Sequence, residues 1–259
     1  MYLQLKRKLQ SITSNLPTIL ALGIIVLVWH LLSVTETVPS YMLPSPKAVV
    51  TALCTDMDLI CEHAVITLQE AAYGLGIGII LAFVMATIMD SCNFLYKAIY
   101  PVMVITQTIP TVAIAPLLVL WMGFGMEPKI TLVVLTTFFP ITVGLLDGYR
   151  SVDSDQINLL RSMGANKRKI FCHVKFPCAI PYFFSGLKVA VSYAVVGAVI
   201  AEWLGGFEGL GVYMTRVKKA YAFDRMFAVI IVIVVISLLL VGLVNIIRKL
   251  LMPWDNVKN

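Results

Sequence analysis

The sequence predicts an all-α membrane protein with six transmembrane helices. Of its 259 residues, 59% are hydrophobic and only 13% are charged, whereas soluble domains carry roughly 25% charged residues. Six apolar runs each approach the length of a bilayer core. The last run, residues 226–247, would rise about 33 Å against a hydrocarbon core of about 30 Å. The connections on one side of these runs collect most of the 20 Lys and Arg residues, as cytoplasmic loops do.

The first apolar run, residues 16–34, follows an N-terminal segment, residues 1–15, that contains Lys6, Arg7 and Lys8. A basic start before an apolar run also occurs in secretory signals. This run is as long as a full span, however, and no small-residue cleavage site follows it. We therefore predict a first transmembrane helix with a cytoplasmic N-terminus.

The second predicted span covers residues 64–89 and is rich in small residues. Gly74 and Gly78 form a small-xxx-small pair that permits close helix contact. Glu70 lies near the predicted outer end of this span. An ionisable residue in a span marks a candidate transport residue, although at this depth its side chain could instead reach the membrane interface.

The third predicted span, residues 98–123, contains three prolines and should not be straight. Four residues near its middle are candidates for lining a translocation pathway: Gln107, Thr108, Pro110 and Thr111. Backbone carbonyls freed by a proline are tolerated where they face protein or a water-filled cavity. A kink packed against another helix explains the same pattern equally well.

The remaining predicted spans cover residues 130–146, 182–201 and 226–247. With both termini on the cytoplasmic side, the polar segment 148–181 is cytoplasmic. The predicted outer side keeps a basic stretch from Arg216 to Arg225, which is either a vestibule for an anionic solute or acidic protein, or a solvated loop. Cys54 and Cys61 also fall outside, as a disulfide or as two buried thiols.

The segment from Asp153 to Pro181 predicts two short helices with a break between them. Asp153 or Ser154 can cap the first helix, in which Ile157, Leu160 and Met163 recur at helical spacing. Gly164 ends it, because glycine accepts the left-handed conformation of a C-terminal cap. Asn166 can cap the second helix, which Pro177 and Pro181 are expected to stop.

This helix-Gly-helix-Pro frame resembles the cytoplasmic "EAA" loop of permease subunits of binding-protein-dependent ABC importers. That pattern reads Glu-Ala-Ala, three residues, Gly, nine residues, Ile, one residue, Leu-Pro. Here Gly164 stands at the glycine, Val174 at the isoleucine, Phe176 at the leucine and Pro177 at the proline. Asn158, Leu159 and Leu160 replace Glu-Ala-Ala, so any salt bridge of that glutamate is missing.

The flanking stretches GANKRKIFCHVKFPCAIPYFFSGLKVA and AEWLGGFEGLG are similar to the nitrate/sulfonate/taurine branch of that family, and within it to the thiamine-pyrimidine-precursor group. The resemblance implies a type I (MetI-like) permease in a bacterial plasma membrane. It further implies a second permease copy, two ATPase subunits that bind ATP and Mg²⁺, and an extracytoplasmic solute-binding protein. The implied ATPase-coupling residues are Asn158, Leu159, Leu160, Met163, Gly164, Ala165, Asn166, Ile170, Val174 and Pro177.

Several other chemistries lack their residue patterns. The chain contains no GxxxxGK[ST] phosphate loop and no HExxH motif, so we expect no ATP hydrolysis, metal site or other catalysis in this chain. The apolar composition argues against nucleic-acid binding. The alternative is a secondary transporter or channel that needs no ATPase. It would require charged residues at mid-membrane and commonly paired inverted repeats; no such repeats are apparent, and Glu70 is the main intramembrane charge.

Overall fold

The computed structural model of the chain describes residues 2–35, 37–39 and 41–253, with side chains from Leu16 onward. These residues form helices joined by short connections, with no strand among them. In chain order the helices are α1 (Tyr2–Val34), α2 (Pro46–Thr55), α3 (Met57–Ser91), α4 (Asn93–Gln107), α5 (Thr111–Met122), α6 (Glu127–Arg150), α7 (Ser154–Ser162), α8 (Lys167–Ile170), a π turn (Phe171–Lys175), α9 (Phe176–Gly205), α10 (Leu210–Lys219) and α11 (Phe223–Leu251).

Among the described residues, five helices are long and apolar enough to cross a membrane, and six if the bent pair α4–α5 counts as one span. The all-helical membrane fold is therefore confirmed. Most helices extend past the apolar runs: α3 begins at Met57 and α9 ends at Gly205. The basic residues Lys6, Arg7 and Lys8 have side chains outside the described set.

The third apolar run is not one kinked helix, as the sequence suggested. It is two helices, α4 and α5, whose axes differ by 99°. The break spans Thr108 to Pro110, because Pro110 has no backbone N–H to continue the ladder. Residues 90–97, which lie between the second and third predicted spans, do not form a loop: α3 runs to Ser91 and α4 starts at Asn93, so only Cys92 separates them.

The chain divides into two compact units. The smaller contains the residues up to Met57 together with residues 216–230. In this unit the Ser45 hydroxyl caps α2 by accepting from Ala48 N at 3.2 Å. The Trp29 ring stacks on Phe227 at 5.8 Å, and its Nε1 donates to the Pro44 carbonyl at 3.0 Å. These contacts fix the start of α2.

The larger unit contains residues 58–215 and the chain from Ile231 on, and α6 and α9 pack through its centre. Their backbones approach closely because small residues line the contact. A Cβ on Gly144 would lie 2.7 Å from the Tyr182 carbonyl oxygen, and one on Gly148 would lie 2.5 Å from Ala179 Cα. Glycine is therefore required at both positions, as is typical of membrane helix interfaces.

The two glycines singled out in the second span also mediate helix packing. A Cβ on Gly74 would lie 2.5 Å from the Val133 side chain of α6, and one on Gly78 would lie 2.5 Å from Thr137 Oγ1. The expected close contact is confirmed, with α6 as the partner.

The five cysteines, by contrast, are all free and exposed. Neither alternative for Cys54 and Cys61 is therefore correct, since the two thiols are unpaired and are not buried. Cys54 lies on the exposed side of α2, near its end, and Cys61 lies near the start of α3.

The packing of α3 on α6 predicts opposite effects for two glycines of the same helix. Gly74→Ala places a methyl group against Val133 and should lower the free energy of unfolding by about 1–3 kcal/mol, as overpacking does. Gly76 has nothing within 4 Å of its Cβ position, so Gly76→Ala should leave stability equal or raised through helix propensity. SDS-unfolding titrations of the detergent-purified protein would compare them. Equal stabilities would contradict this packing.

Candidate functional site

The connection between α6 and α9 begins with a short helix whose two ends are set by local sequence. Asp153 caps α7, because its Oδ1 accepts from Asp155 N at 3.0 Å. At the other end Gly164 has φ +80°, and two bonds close the turn: Gly164 N donates to Arg161 O and Ala165 N to Leu160 O, both at 2.9 Å. This pair of bonds is the Schellman motif. The predicted cap and glycine break are confirmed.

The second helix starts as expected but does not stop where the prolines predicted. Asn166 Oδ1 accepts from Lys169 N at 2.9 Å and caps α8. The chain then passes through the π turn, where Phe176 N bonds to Phe171 O, and continues directly into α9. Pro177 stands in the first turn of α9 and Pro181 lies inside it. The wider π turn places Pro177 at a helix start, where a missing N–H is tolerated.

Helix α7 lies on the surface and none of its residues is buried. Leu159 is 64% exposed and Met163 75% exposed, and their spacing of four places them on one side of the helix. Ile157 and Leu160, on the other side, are half-buried. The predicted stripe is therefore corrected: Met163 belongs with Leu159 on the exposed side. Two large apolar side chains are thus exposed together on one side of α7.

The other predicted coupling residues follow along the same connection. Asn158, Asn166 and Pro177 are exposed, Ala165 and Val174 are half-buried, and Ile170 is buried. Ile170 and Val174 thus turn inward and hold α8 to the protein, whereas α7 faces outward.

The predicted pathway residues near Pro110 meet at the break between α4 and α5. Gln107, Thr108 and Pro110 are exposed and Thr111 is half-buried. The Thr108 hydroxyl donates to the Ile105 carbonyl at 2.7 Å, which satisfies part of the backbone left without helical partners. The break therefore presents polar side chains and backbone together.

Glu70 does not lie with these residues, nor does it reach an interface as expected. Its side chain is 1% exposed, and Oε1 accepts from Lys129 Nζ at 2.6 Å. Lys129 is itself buried in the first turn of α6. A buried ion pair thus joins α3 to α6.

Glu202 near the end of α9 is a second buried carboxylate, 1% exposed, to which the sequence reasoning gave no role. Its Oε1 accepts from Thr67 Oγ1 at 2.7 Å, and its Oε2 accepts from Gly211 N at 2.6 Å. The Glu202 carboxyl group also lies beside that of Glu70. The buried cluster, defined as His63, Thr67, Glu70, Lys129 and Glu202, therefore joins α3, α6 and α9.

The buried cluster also holds the N-terminus of α10. Thr67 Oγ1 accepts from Leu210 N at 2.9 Å, and His63 Nδ1 accepts from Gly209 N at 3.0 Å. With the Glu202 contact to Gly211, three consecutive amides of this helix start have side-chain partners. Orphan N–H groups at a helix start favour a negative charge, which explains the carboxylate at this position. The sequence does indicate that a charged residue within a span needs a partner. It does not indicate which residue that partner is.

Known proteins similar to this chain identify its family. A model of the family described as "Binding-protein-dependent transport system inner membrane component" matches residues 74–254, which covers the second half of α3 and α4–α11. The chain belongs to this family. It is a multi-pass membrane permease subunit of an ABC importer, and ATP hydrolysis takes place in a separate subunit. Permeases of this family work with an ATPase and a binding protein. A transporter or channel without an ATPase is thereby excluded.

Curated relatives match over nearly their whole length. A probable ABC transporter permease of Haemophilus influenzae is 37% identical over 87% of this chain and 92% of its own. The formylaminopyrimidine transport permease ThiX of Halalkalibacterium halodurans is 34% identical over 96% of this chain and 98% of its own. The taurine permease TauC of Escherichia coli is 26% identical over 90% and 87%. The predicted branch of the family is confirmed.

Solved structures show the same fold. A chain of an amino acid ABC transporter superposes with a TM-score of 0.61 at 15% identity, covering 78% of this permease and 96% of that chain. A chain of the MetNI methionine ABC transporter superposes with a TM-score of 0.59 at 18% identity, covering 73% and 93%. The predicted MetI-like architecture is confirmed.

The ion pair of the buried cluster predicts that the stability of the protein depends strongly on Lys129. Lys129→Met leaves the Glu70 charge buried without its cation and should lower the free energy of unfolding by about 3–5 kcal/mol. The double variant Glu70→Gln/Lys129→Met removes both charges and should regain most of that loss. SDS-unfolding titrations would measure both. Lys218→Met, at an exposed lysine, serves as the control and should change little; a Lys129→Met variant as stable as this control would contradict the pair.

Proposed function

We propose that this permease forms a homodimer, binds one ATPase subunit per copy through the α7–α8 connection, and imports the pyrimidine precursor of thiamine. ATP and Mg²⁺ bind to the ATPase subunits and not to this chain. Both termini and the connection between α6 and α9 face the cytoplasm, and a solute-binding protein delivers the substrate from the other side. Closure of the ATPase pair moves the connections, and the spans exchange between inward-open and outward-open arrangements as rigid bodies.

The single observation that carries the coupling role is the exposed apolar side of α7. A helix of nine residues has little stability in water by itself, and here both ends are capped while its largest apolar side chains remain uncovered. Such a preformed helix can insert its exposed side into a groove of another protein, using anchors at spacing i and i+4. The family requires an ATPase partner, and α7 lies at the position of the family's loop pattern.

The substrate proposal is supported by similarity. ThiX, a formylaminopyrimidine permease, is 34% identical over 98% of its own length, whereas the taurine permease TauC is 26% identical. The translocation pathway is proposed to pass the α4–α5 break, where Gln107, Thr108, Pro110 and Thr111 present polar groups. Glu70 has its partner in Lys129, and we assign it to holding α3 on α6.

The coupling role predicts that charge on the exposed side of α7 prevents ATPase binding. Leu159→Glu/Met163→Glu should reduce co-purification of the ATPase subunit by about tenfold or more, since buried anchors are commonly worth about 2 kcal/mol or more. These side chains are already exposed, so the permease itself should stay folded and in the membrane. Ser154→Glu adds a negative charge to the opposite side of α7 and is the matched control. Undiminished co-purification with the double variant would refute the assignment.

The substrate proposal is tested on the binding protein that serves this permease. Isothermal titration should show that formylaminopyrimidine binds, and that taurine binds about a hundredfold more weakly or not at all, because a site built to hydrogen-bond one ligand rejects others that leave its groups unpaired. Tight binding of taurine or nitrate instead would reassign the substrate and leave the coupling role unaffected.

A further inference from the structure

A second ion pair joins the α7–α8 connection to a different helix. Lys175, the last residue of the π turn, donates from Nζ to both carboxylate oxygens of Asp90, each at 2.8 Å. Asp90 is the penultimate residue of α3. The Asp90 side chain is only 9% exposed and that of Lys175 21% exposed. This clamp, defined as Asp90 and Lys175, therefore stands where water screens it little.

The clamp sits on a segment without a flexible break. From Lys167 to Gly205 the backbone is helical throughout, as α8, the π turn and α9. A displacement of α8 must therefore move the start of α9 as well. The π turn is the one irregular point on this path among the described residues, and such turns commonly occur at functional positions in helices.

Aromatic rings fill the space around the clamp. Phe171, the first residue of the π turn, packs against the buried Tyr149 of α6 at 5.1 Å. Phe176, directly after Lys175, lies 6.2 Å from Phe83 of α3, and Phe83 lies 5.1 Å from Phe183 of α9. These contacts hold the π turn against both α3 and α6. They give the clamp a fixed position, which a single ion pair between long side chains would not have.

We propose that Asp90 and Lys175 are positioning residues that pass the displacement of the α7–α8 connection to α3, so that α9 and α3 move as one body. This inference rests on the proposed coupling role of α7. It adds a second path: α9 receives the displacement through the backbone, and α3 receives it through the clamp. The buried cluster already joins the opposite ends of α3 and α9 through Thr67 and Glu202. Without the clamp, the end of α3 at Asp90 can stay behind when α8 and the start of α9 move, and ATP hydrolysis is no longer matched by transport.

The test uses the complete transporter in proteoliposomes, with the ATPase subunits and the binding protein present. Asp90→Asn and Lys175→Met should retain ATPase co-purification and basal ATP hydrolysis. Their uptake of labelled formylaminopyrimidine per ATP hydrolysed should fall by about tenfold, within the range of coupling free energies between sites. The reversed pair Asp90→Lys/Lys175→Asp should recover a large part of this ratio, and Lys175→Arg should keep it, because arginine also binds a carboxylate through two bonds.

The control is another pair of a basic residue with an aspartate, which lies elsewhere in the chain. Arg225 and Asp56 pair at 3.1 Å with Arg225 about half exposed, and Asp56→Asn should leave uptake per ATP unchanged. Uptake per ATP close to that of the unmodified protein in Asp90→Asn overturns the proposal. So does failure of the reversed pair to improve on the single variants, or loss of ATPase binding in them. Loss of ATPase binding in the α7 double variant alone concerns the proposed function, so the two failures are distinguishable.

Discussion

Polar groups among apolar helices must find their partners inside the protein, because hydrocarbon supplies none. This constraint explains the buried cluster. Glu70 meets Lys129 at 2.6 Å, and Glu202 accepts from a threonine hydroxyl and a backbone amide. The Glu70–Lys129 and Glu202–Thr67 contacts link residues 59 and 135 positions apart, so the need to satisfy a charge also determines which helices lie side by side. Small residues then let those helices approach, as Gly74 and Gly144 do against α6 and α9.

The same constraint explains why two connections of this permease differ, namely the one that leads into α10 and the one that contains α7. The start of α10 is anchored by side chains of α3 and α9 to three consecutive amides, and Gly209 and Leu210 are buried there. Helix α7 differs from it: its two ends are capped by the neighbouring residues Asp153 and Gly164, and the connection is held to the protein beyond α7, by Ile170 and Lys175. A helix that stabilises its own ends can leave one side uncovered, and this independence suits a segment that binds another subunit.

Local features could be predicted from the sequence and distant ones could not. Apolar runs long enough for a bilayer indicated the spans, and the caps at Asp153 and Asn166 and the break at Gly164 depend on neighbours within a few residues. The burial of Glu70 depends on Lys129, 59 positions away, and Glu202 depends on Thr67, 135 positions away. The prediction that Pro177 ends the second helix is wrong. The π turn lets the helix continue through Pro177. The 99° break at Pro110 exceeds what a proline alone implies.

This permease departs from the family's loop pattern at the three positions of Glu-Ala-Ala. Where the pattern has Glu-Ala-Ala, this permease has Asn158, Leu159 and Leu160, and the structure places Leu159 outward while Leu160 is half-buried. The glutamate charge of the pattern is thus absent, and the exposed Leu159 lies near the exposed Met163. Apolar contact area contributes roughly 25 cal/mol per Å² and is insensitive to charge screening. The proposed coupling contact would therefore depend on the fit of two apolar side chains more than on a salt bridge.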